Sequence, residues 1–199
     1  LPADHALLGD AGLTLEALLA EVGDRLGGRP RGREGRLQAL KAVKADWLAE
    51  WMPKLTSEEV PLSPYRVIWD LMHTVDRAQT VITHDAGNPR DQLSPFWQAV
   101  APLSYLGWGK TTQLGYGLGL AMGAKLAAPE KLCINVWGDA AIGMTGMDFE
   151  TAVRERLPIL SVMLNNFSMA TELGVMPIST RKYRSTDISG NYALLAQAL

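Results

Sequence analysis

One short β-branched run, over residues 80–84, and two apolar runs, over residues 131–137 and 157–164, predict β-strands in the second two thirds of the chain. None of the runs alternates with polar residues, so each strand is expected to be buried on both faces, as in a parallel sheet covered by helices. Amphipathic or small-residue patterns predict helices before and between them, over residues 64–75, 115–127 and 147–156. The alternation of strand and helix predicts an α/β fold, a doubly wound parallel sheet with helices on both faces.

Two further amphipathic patterns precede this region. Thr14 is predicted to cap a first helix, which Gly27 and Gly28 end. A second helix is predicted to stop before Pro53, since proline cannot donate the backbone bond that a helix interior requires. The basic, glycine-containing stretch between them, residues 27–36, is the best candidate for a linker.

Composition narrows the functional class. The net charge is −2 without a basic stripe, which argues against a nucleic-acid partner. No apolar segment approaches the ~20 residues of a membrane span, so no membrane partner is expected. The single cysteine, Cys133, excludes a disulfide framework and favours a reducing, cytoplasmic location. The chain starts at Leu1 and ends in an apolar, helix-like run, so it is expected to be a fragment of a longer protein.

Polar residues follow each predicted strand where ligands bind in parallel sheets, outside the carboxyl ends. They are Asp85–Asn88, Gly138-Asp139 and Asn165-Asn166. Any one of them alone is more often an ordinary turn residue. Together, a carboxylate and an amide on neighbouring loops form a hard oxygen donor set that suits Mg²⁺ with a phosphorylated ligand. Asp139 has no Lys or Arg near it in sequence, so a metal is the expected source of charge balance.

These motifs carry a resemblance to a known family. Gly138-Asp139-Ala140, followed after 24 intervening residues by Asn165-Asn166, resembles the thiamine-diphosphate motif of the acetolactate synthase and pyruvate decarboxylase-like enzymes. "THDAGN", "GYGLGLAMGAKLAAPEK" and "ERLPILSVMLNN" resemble the same family's strand ends and glycine-rich helix. The likeness is good over residues 61–170 and weaker over residues 1–28.

The resemblance implies a set of site residues. Mg²⁺ would be held by Asp139, Asn166 and the backbone carbonyl of Ser168, and the diphosphate would lie near Asn88, Gly138, Ala140 and Ala141. Thr112 would offer its carbonyl to the aminopyrimidine ring, and Leu114 would prop the cofactor into a bent shape. No catalytic proton-transfer residue is assigned in this chain, because the family takes a glutamate from a separate pyrimidine-binding domain, normally on the partner subunit.

The implied organisation and function follow from the same family. Residues 1–29 would be the tail of a central domain, residues 30–60 a linker with a helix, and residues 61–199 a truncated diphosphate-binding domain. The full-length protein would decarboxylate or ligate a small 2-oxo acid as a homodimer or homotetramer, and the chain alone is expected to be inactive. Whether flavin binds is open.

The sequence leaves the conformation of Ala140 and the role of His84 open, and two other functions are considered beside the main one. Ala140 stands where the family has glycine, which is acceptable if its φ is negative. His84 could face the ligand, but a structural histidine is the better reading. A non-catalytic remnant or regulatory module that keeps the fold is the alternative function. A dinucleotide-binding domain is disfavoured because Met122 stands where the glycine fingerprint needs its last glycine.

Overall fold

The computed structural model describes residues 2–27, 32–107 and 113–199, and the chain divides into two compact units, Leu1–Trp51 and Met52–Leu199. The helices are α1 (Ala11–Leu26), α2 (Glu34–Leu55), α3 (Pro64–Thr74), α4 (Asn88–Leu93), α5 (Tyr116–Ala127), α6 (Asp139–Thr145), α7 (Asp148–Arg154), α8 (Pro177–Tyr183) and α9 (Tyr192–Ala198). The strands are β1 (Thr80–His84), β2 (Tyr105–Leu106), β3 (Leu132–Gly138) and β4 (Leu160–Leu164). Within the described ranges, no helix is both long and apolar enough to cross a membrane.

Helix α1 begins earlier than predicted. Asp10, not Thr14, is its N-cap, and the Asp10 carboxylate accepts a hydrogen bond of 3.0 Å from the Leu13 N–H. The prediction for Thr14 was wrong because an aspartate one turn earlier satisfies the first free N–H groups of the helix. Gly27 ends α1 in the left-handed conformation, with φ of 56°, as predicted.

Helix α2 also departs from its prediction, because it continues through Pro53 to Leu55. The proline lies in the last turn, where it removes only one backbone hydrogen bond from the helix. Leu55 beyond it is completely buried, and this burial stabilises the final turn. Helix α3 begins at Pro64 after Ser63, as predicted.

The four strands form one parallel sheet in the order β2-β1-β3-β4, which confirms the predicted α/β fold class. From β1 the chain passes to one side to form β2 and then returns to the other side to form β3. This reversal makes the gap between the carboxyl ends of β1 and β3 the topological switch point, where open α/β sheets bind their ligands.

Helix layers cover the central strands. Helix α5 packs on the face that carries Val81 and Cys133, and α4 contacts both β1 and β3. Ile82 and Ile134 point to the face away from α5 and are nevertheless completely buried, so that face is covered too. Strand β4 lies at the sheet edge and is only half-buried, so the prediction that it is buried on both faces was wrong.

Candidate functional site

A cavity of about 380 Å³ opens at the carboxyl ends of β1, β3 and β4. Its walls include residues 86–90 after β1, residues 138–141 at the end of β3 and the start of α6, and residues between Met163 and Glu172 at the end of β4 and in the loop after it. Gly138 pairs with Leu164 in the sheet register, so the residues that follow the two strands emerge side by side. The cavity therefore lies at the switch point and has the size of a small-molecule site.

The structure brings the predicted site residues together in this one cavity. The residues that line it include Asn88, Leu114, Gly138, Asp139, Ala140, Ala141, Asn166 and Ser168. Thr112 lies outside the described residues. These residues come from four segments that lie more than 20 positions apart in sequence, so only the parallel sheet explains their proximity. Their individual roles in binding remain predictions.

Asp139 is the most unusual group in the cavity wall. It directly follows the apolar strand β3, opens α6, and is only 2% exposed. One carboxylate oxygen, Oδ1, accepts a hydrogen bond of 2.8 Å from the Ala140 N–H. The other, Oδ2, is buried and has no hydrogen-bond partner among the described residues. Burial raises the pKa of Tyr192, and the negative charge of Asp139 adds to that rise.

Asp85 directly follows β1 in the same way, but hydrogen bonds within the protein satisfy its carboxylate. Its carboxylate accepts hydrogen bonds from the backbone N–H groups of Ala86 (2.8 Å), Gly115 (2.9 Å) and Gly117 (3.0 Å). It therefore holds the start of α5 against the end of β1, where free helix N–H groups favour an anion. Burial nevertheless raises the pKa of Asp85 from its usual value, although these three hydrogen bonds act to lower it.

This anchor positions Leu114. Besides donating to Asp85, Gly115 accepts a hydrogen bond of 2.9 Å at its carbonyl oxygen from the Thr145 hydroxyl, and it has φ of 93°. A β-carbon there would meet Thr145 at 2.6 Å, so glycine is required on both steric and conformational grounds. Leu114 packs on the buried cluster that includes Trp137 and also lines the cavity, so it presents an apolar wall.

The loop after β4 supplies the opposite wall with an unusual backbone. Phe167 has φ of 56°, in the left-handed region that a bulky residue rarely adopts. The Asn166 side-chain oxygen accepts a hydrogen bond of 3.1 Å from the Ser168 N–H, and Ser168 forms an antiparallel bridge with Asp187. Such strained residues persist where the surrounding structure holds them, commonly beside functional sites.

The two open sequence features now have structural answers. Ala140 lies in α6 and is not among the described residues with positive φ, so alanine is accommodated where the family has glycine. His84 is 2% exposed, and its Nδ1 lies 3.1 Å from both the Asp85 carbonyl oxygen and the Tyr116 hydroxyl. It is not one of the residues that line the cavity, which favours the structural reading.

Sequence reasoning missed two charged residues of the cavity wall, Arg90 and Glu172. It also missed the hydrogen bond of 3.3 Å from the Thr171 hydroxyl to Asn88 Oδ1, which joins α4 to the loop after β4. The proline at position 89 marks the first turn of a helix and could have revealed α4. Nothing in the sequence pattern around Glu172 distinguishes it from a surface glutamate.

The donor set fits a cation with phosphate, not an all-protein metal cage. Among the described residues, no group of three or more His, Cys, Asp or Glu side chains could hold a metal ion. The cavity instead offers one unpartnered carboxylate oxygen beside amide and carbonyl oxygens. Mg²⁺ is commonly bound by one or two carboxylates, with substrate phosphates and water completing its octahedron.

Comparison with known proteins identifies the class. Residues 85–199 match the model of the family described as thiamine pyrophosphate enzyme, C-terminal TPP binding domain. This match covers more than half of the 199 residues and includes the whole cavity apart from its first few lining residues. The chain belongs to this family and contains the thiamine-diphosphate-binding C-terminal domain of acetolactate synthase-like enzymes, as the sequence motifs predicted.

Individual relatives are similar over most of this chain. The acetolactate synthase large subunit of Mycobacterium tuberculosis is 31% identical over 167 residues, which are 83% of this chain and 29% of that protein. The acetolactate synthase isozyme 3 large subunit of Escherichia coli is 26% identical over 82% of this chain and 28% of its own length. The 2-hydroxyacyl-CoA lyase of Oryza sativa is 28% identical over 65% of this chain and 23% of its length. The chain thus spans less than a third of the length of the curated relatives it matches.

Proposed function

We propose that the cavity binds thiamine diphosphate together with Mg²⁺, and that the protein acts on 2-oxo acids by decarboxylation or carboligation. The observation that carries the proposal is Asp139 Oδ2, a buried carboxylate oxygen with no hydrogen-bond partner in the described parts of the chain. A buried charge requires a partner. A divalent cation at the cavity wall would provide one, and the family match supports thiamine diphosphate as the ligand that accompanies it.

Asp139, Asn166 and Ser168 are the proposed metal ligands. Their donors would be a carboxylate oxygen, a side-chain amide oxygen and a backbone carbonyl oxygen, which are the hard donors that Mg²⁺ prefers. Asn166 Oδ1 already accepts the Ser168 N–H, but an amide oxygen has a second lone pair that can bind a cation. The hydrogen bond to Ser168 would then hold the amide oxygen in place for the metal.

The rest of the cavity matches the shape and charge of the cofactor. Ala140 and Ala141 lie in the first turn of α6, and their small side chains allow close approach of the diphosphate. Leu114 would support the organic part of the cofactor and exclude water from it. When bound, thiamine diphosphate supplies the electron sink for cleaving or forming a carbon–carbon bond beside a carbonyl group.

The proton transfer is proposed to come from outside this chain. We assign it to a glutamate of a pyrimidine-binding domain on a partner subunit of a homodimer or homotetramer, so the 199-residue chain alone should be inactive. The names of the relatives include a synthase and a lyase. They support 2-oxo acid or related acyl chemistry in either direction without choosing between carboligation and cleavage.

Replacement of Asp139 by asparagine tests the metal and cofactor site. The side chain keeps its shape, so the fold should survive, but the site loses one formal charge. We expect the affinity for thiamine diphosphate at limiting Mg²⁺ to fall at least about tenfold, since even second-shell changes cost metal sites about 10- to 100-fold. Titration calorimetry with and without Mg²⁺ measures the affinity, and circular dichroism checks the fold.

Asp148→Asn is the matched control, because Asp148 is exposed at the start of α7 and does not line the cavity. It should bind the cofactor like the wild-type chain. If Asp139→Asn binds thiamine diphosphate as tightly as the wild type at limiting Mg²⁺, the carboxylate is a structural residue and the proposed metal site is wrong.

A further inference from the structure

Arg90 is the single cationic side chain among the described residues that line the cavity. The other ionisable side chains in the described wall are Asp139 and Glu172, which are both acidic. An anionic ligand would be repelled by these two carboxylates. Among the side chains of the described wall, Arg90 therefore supplies the positive charge that would attract such a ligand, in addition to any bound metal ion.

The position of Arg90 comes from helix α4. It lies two residues after Asn88, which also lines the cavity and is held by Thr171 across it. The Arg90 side chain is only 19% exposed, whereas the side chain of its ion-pair partner Asp91 is 62% exposed. The pair therefore joins a cavity-wall cation to a solvent-exposed carboxylate.

Arg90 also forms an ion pair with its neighbour Asp91. The Arg90 Nε donates to Asp91 Oδ1 at 2.8 Å, but an ion pair with such an exposed partner contributes only about 0–1 kcal/mol. The hydrogen bond to Asp91 raises the pKa of Arg90, so its positive charge persists at every accessible pH.

We propose that Arg90 is the anion-recognition residue of this cavity and binds a phosphate or carboxylate group of the bound ligand. The guanidinium presents several N–H donors in a planar fork that matches the oxygens of both groups. The anionic group could come from the diphosphate of the cofactor or from the carboxylate of a 2-oxo acid. Both sources follow from the proposed function, so the inference rests on it in this respect. Arg90 thereby selects ligands by charge at the face of the cavity that α4 supplies.

Replacement of Arg90 by glutamine tests the inference on the full 199-residue chain. The first probe is inorganic pyrophosphate with Mg²⁺, measured by titration calorimetry. The second probe is pyruvate, titrated into the chain saturated with Mg²⁺ and thiamine diphosphate. We expect one of the two affinities to fall about tenfold or more, as for loss of a hydrogen bond to a charged group.

Three further variants separate recognition from structure. Arg154→Gln removes an exposed arginine that is ion-paired to Glu150 and should leave both affinities unchanged. Asp91→Asn removes the ion-pair partner of Arg90 and should not weaken the binding of either probe. Arg90→Lys keeps the charge but loses the planar fork, so its affinity should lie between those of the wild type and Arg90→Gln.

Each outcome decides the inference. Loss of pyrophosphate affinity in Arg90→Gln assigns the anion to the cofactor, and loss of pyruvate affinity alone assigns it to the substrate carboxylate. The inference is overturned if Arg90→Gln matches Arg154→Gln with both probes, if Asp91→Asn weakens binding equally, or if the wild-type chain binds neither probe. A wild-type chain that binds pyrophosphate but not thiamine diphosphate refutes the proposed function and leaves the role of Arg90 standing.

Discussion

Replacement of Gly117 by alanine should destabilise the protein, although it adds a better helix former to a helix. Gly117 is buried at the second residue of α5, where it faces the ends of β1 and β3. A β-carbon there would meet Asn135 Oδ1 at 2.5 Å, the His84 carbonyl oxygen at 3.0 Å and Asp85 Oδ2 at 3.1 Å. The Gly117 N–H also donates to Asp85 at 3.0 Å, so any shift of the helix weakens that anchor.

Two opposing effects determine how much Gly117→Ala changes the free energy of unfolding. Alanine is favoured over glycine in a helix interior by up to about 1 kcal/mol, and by less in the first turn. Forcing a methyl group into a packed core costs about 1–3 kcal/mol. Here two of the three obstructing atoms belong to the backbone or to a carboxylate held by backbone bonds, so they cannot move freely. We therefore expect the steric cost to exceed the gain in helix propensity, so that the free energy of unfolding falls by about 1–2 kcal/mol.

Urea unfolding followed by circular dichroism measures this difference, and α5 offers its own controls. Gly119 and Gly123 are exposed, and a β-carbon at either would meet no described atom within 4 Å. Alanine at these positions should stabilise the chain by about 0.5–1 kcal/mol. If Gly117→Ala is as stable as Gly119→Ala, then α5 does not approach the strands as closely as described, and the account of Asp85 as its anchor is wrong.

Two further predictions concern buried titratable groups. Burial lowers the pKa of His84 below its usual value of about 6.5, so as pH falls through that value the unfolded chain binds a proton that the folded chain does not. The free energy of unfolding should therefore decrease from pH 7.5 to 5.5, more steeply than in His84→Gln, and equal slopes in urea melts of the two would contradict this. Cys133 is completely buried, and burial raises the pKa of its thiol, so a maleimide should label the native chain very slowly and the urea-unfolded chain fully. Rapid labelling of the native chain would show that Cys133 is accessible.

The sequence by itself determined the elements whose cause is local. A β-branched run predicted β1 and a mostly apolar run predicted β3, each within one residue of its bounds, because strands buried on both faces are rich in such residues. The small-residue pattern predicted α5, and the polar residues after each strand indicated the edge of the sheet at which the cavity opens. The motif of Gly138-Asp139 and Asn165-Asn166 correctly indicated the family.

Elements that depend on distant neighbours were missed or misplaced. Strand β2 has only two residues and exists because Tyr105 and Leu106 pair with β1. Helix α2 passes Pro53, and Leu55 beyond it is buried in the core. Local propensity does not contain this information, since tertiary contacts override it.

The two strand-end carboxylates show most clearly what only the tertiary structure decided. Asp85 and Asp139 have the same local signature, an apolar strand followed by an acidic residue and small residues. In the fold, Asp85 accepts N–H groups from Gly115 and Gly117, some 30 residues away, and is satisfied. Asp139 receives only the N–H of its neighbour Ala140, and its Oδ2 remains without a partner among the described residues. The difference lies in which helix start is packed beside each strand end, and that packing is set by the order of strands in the sheet.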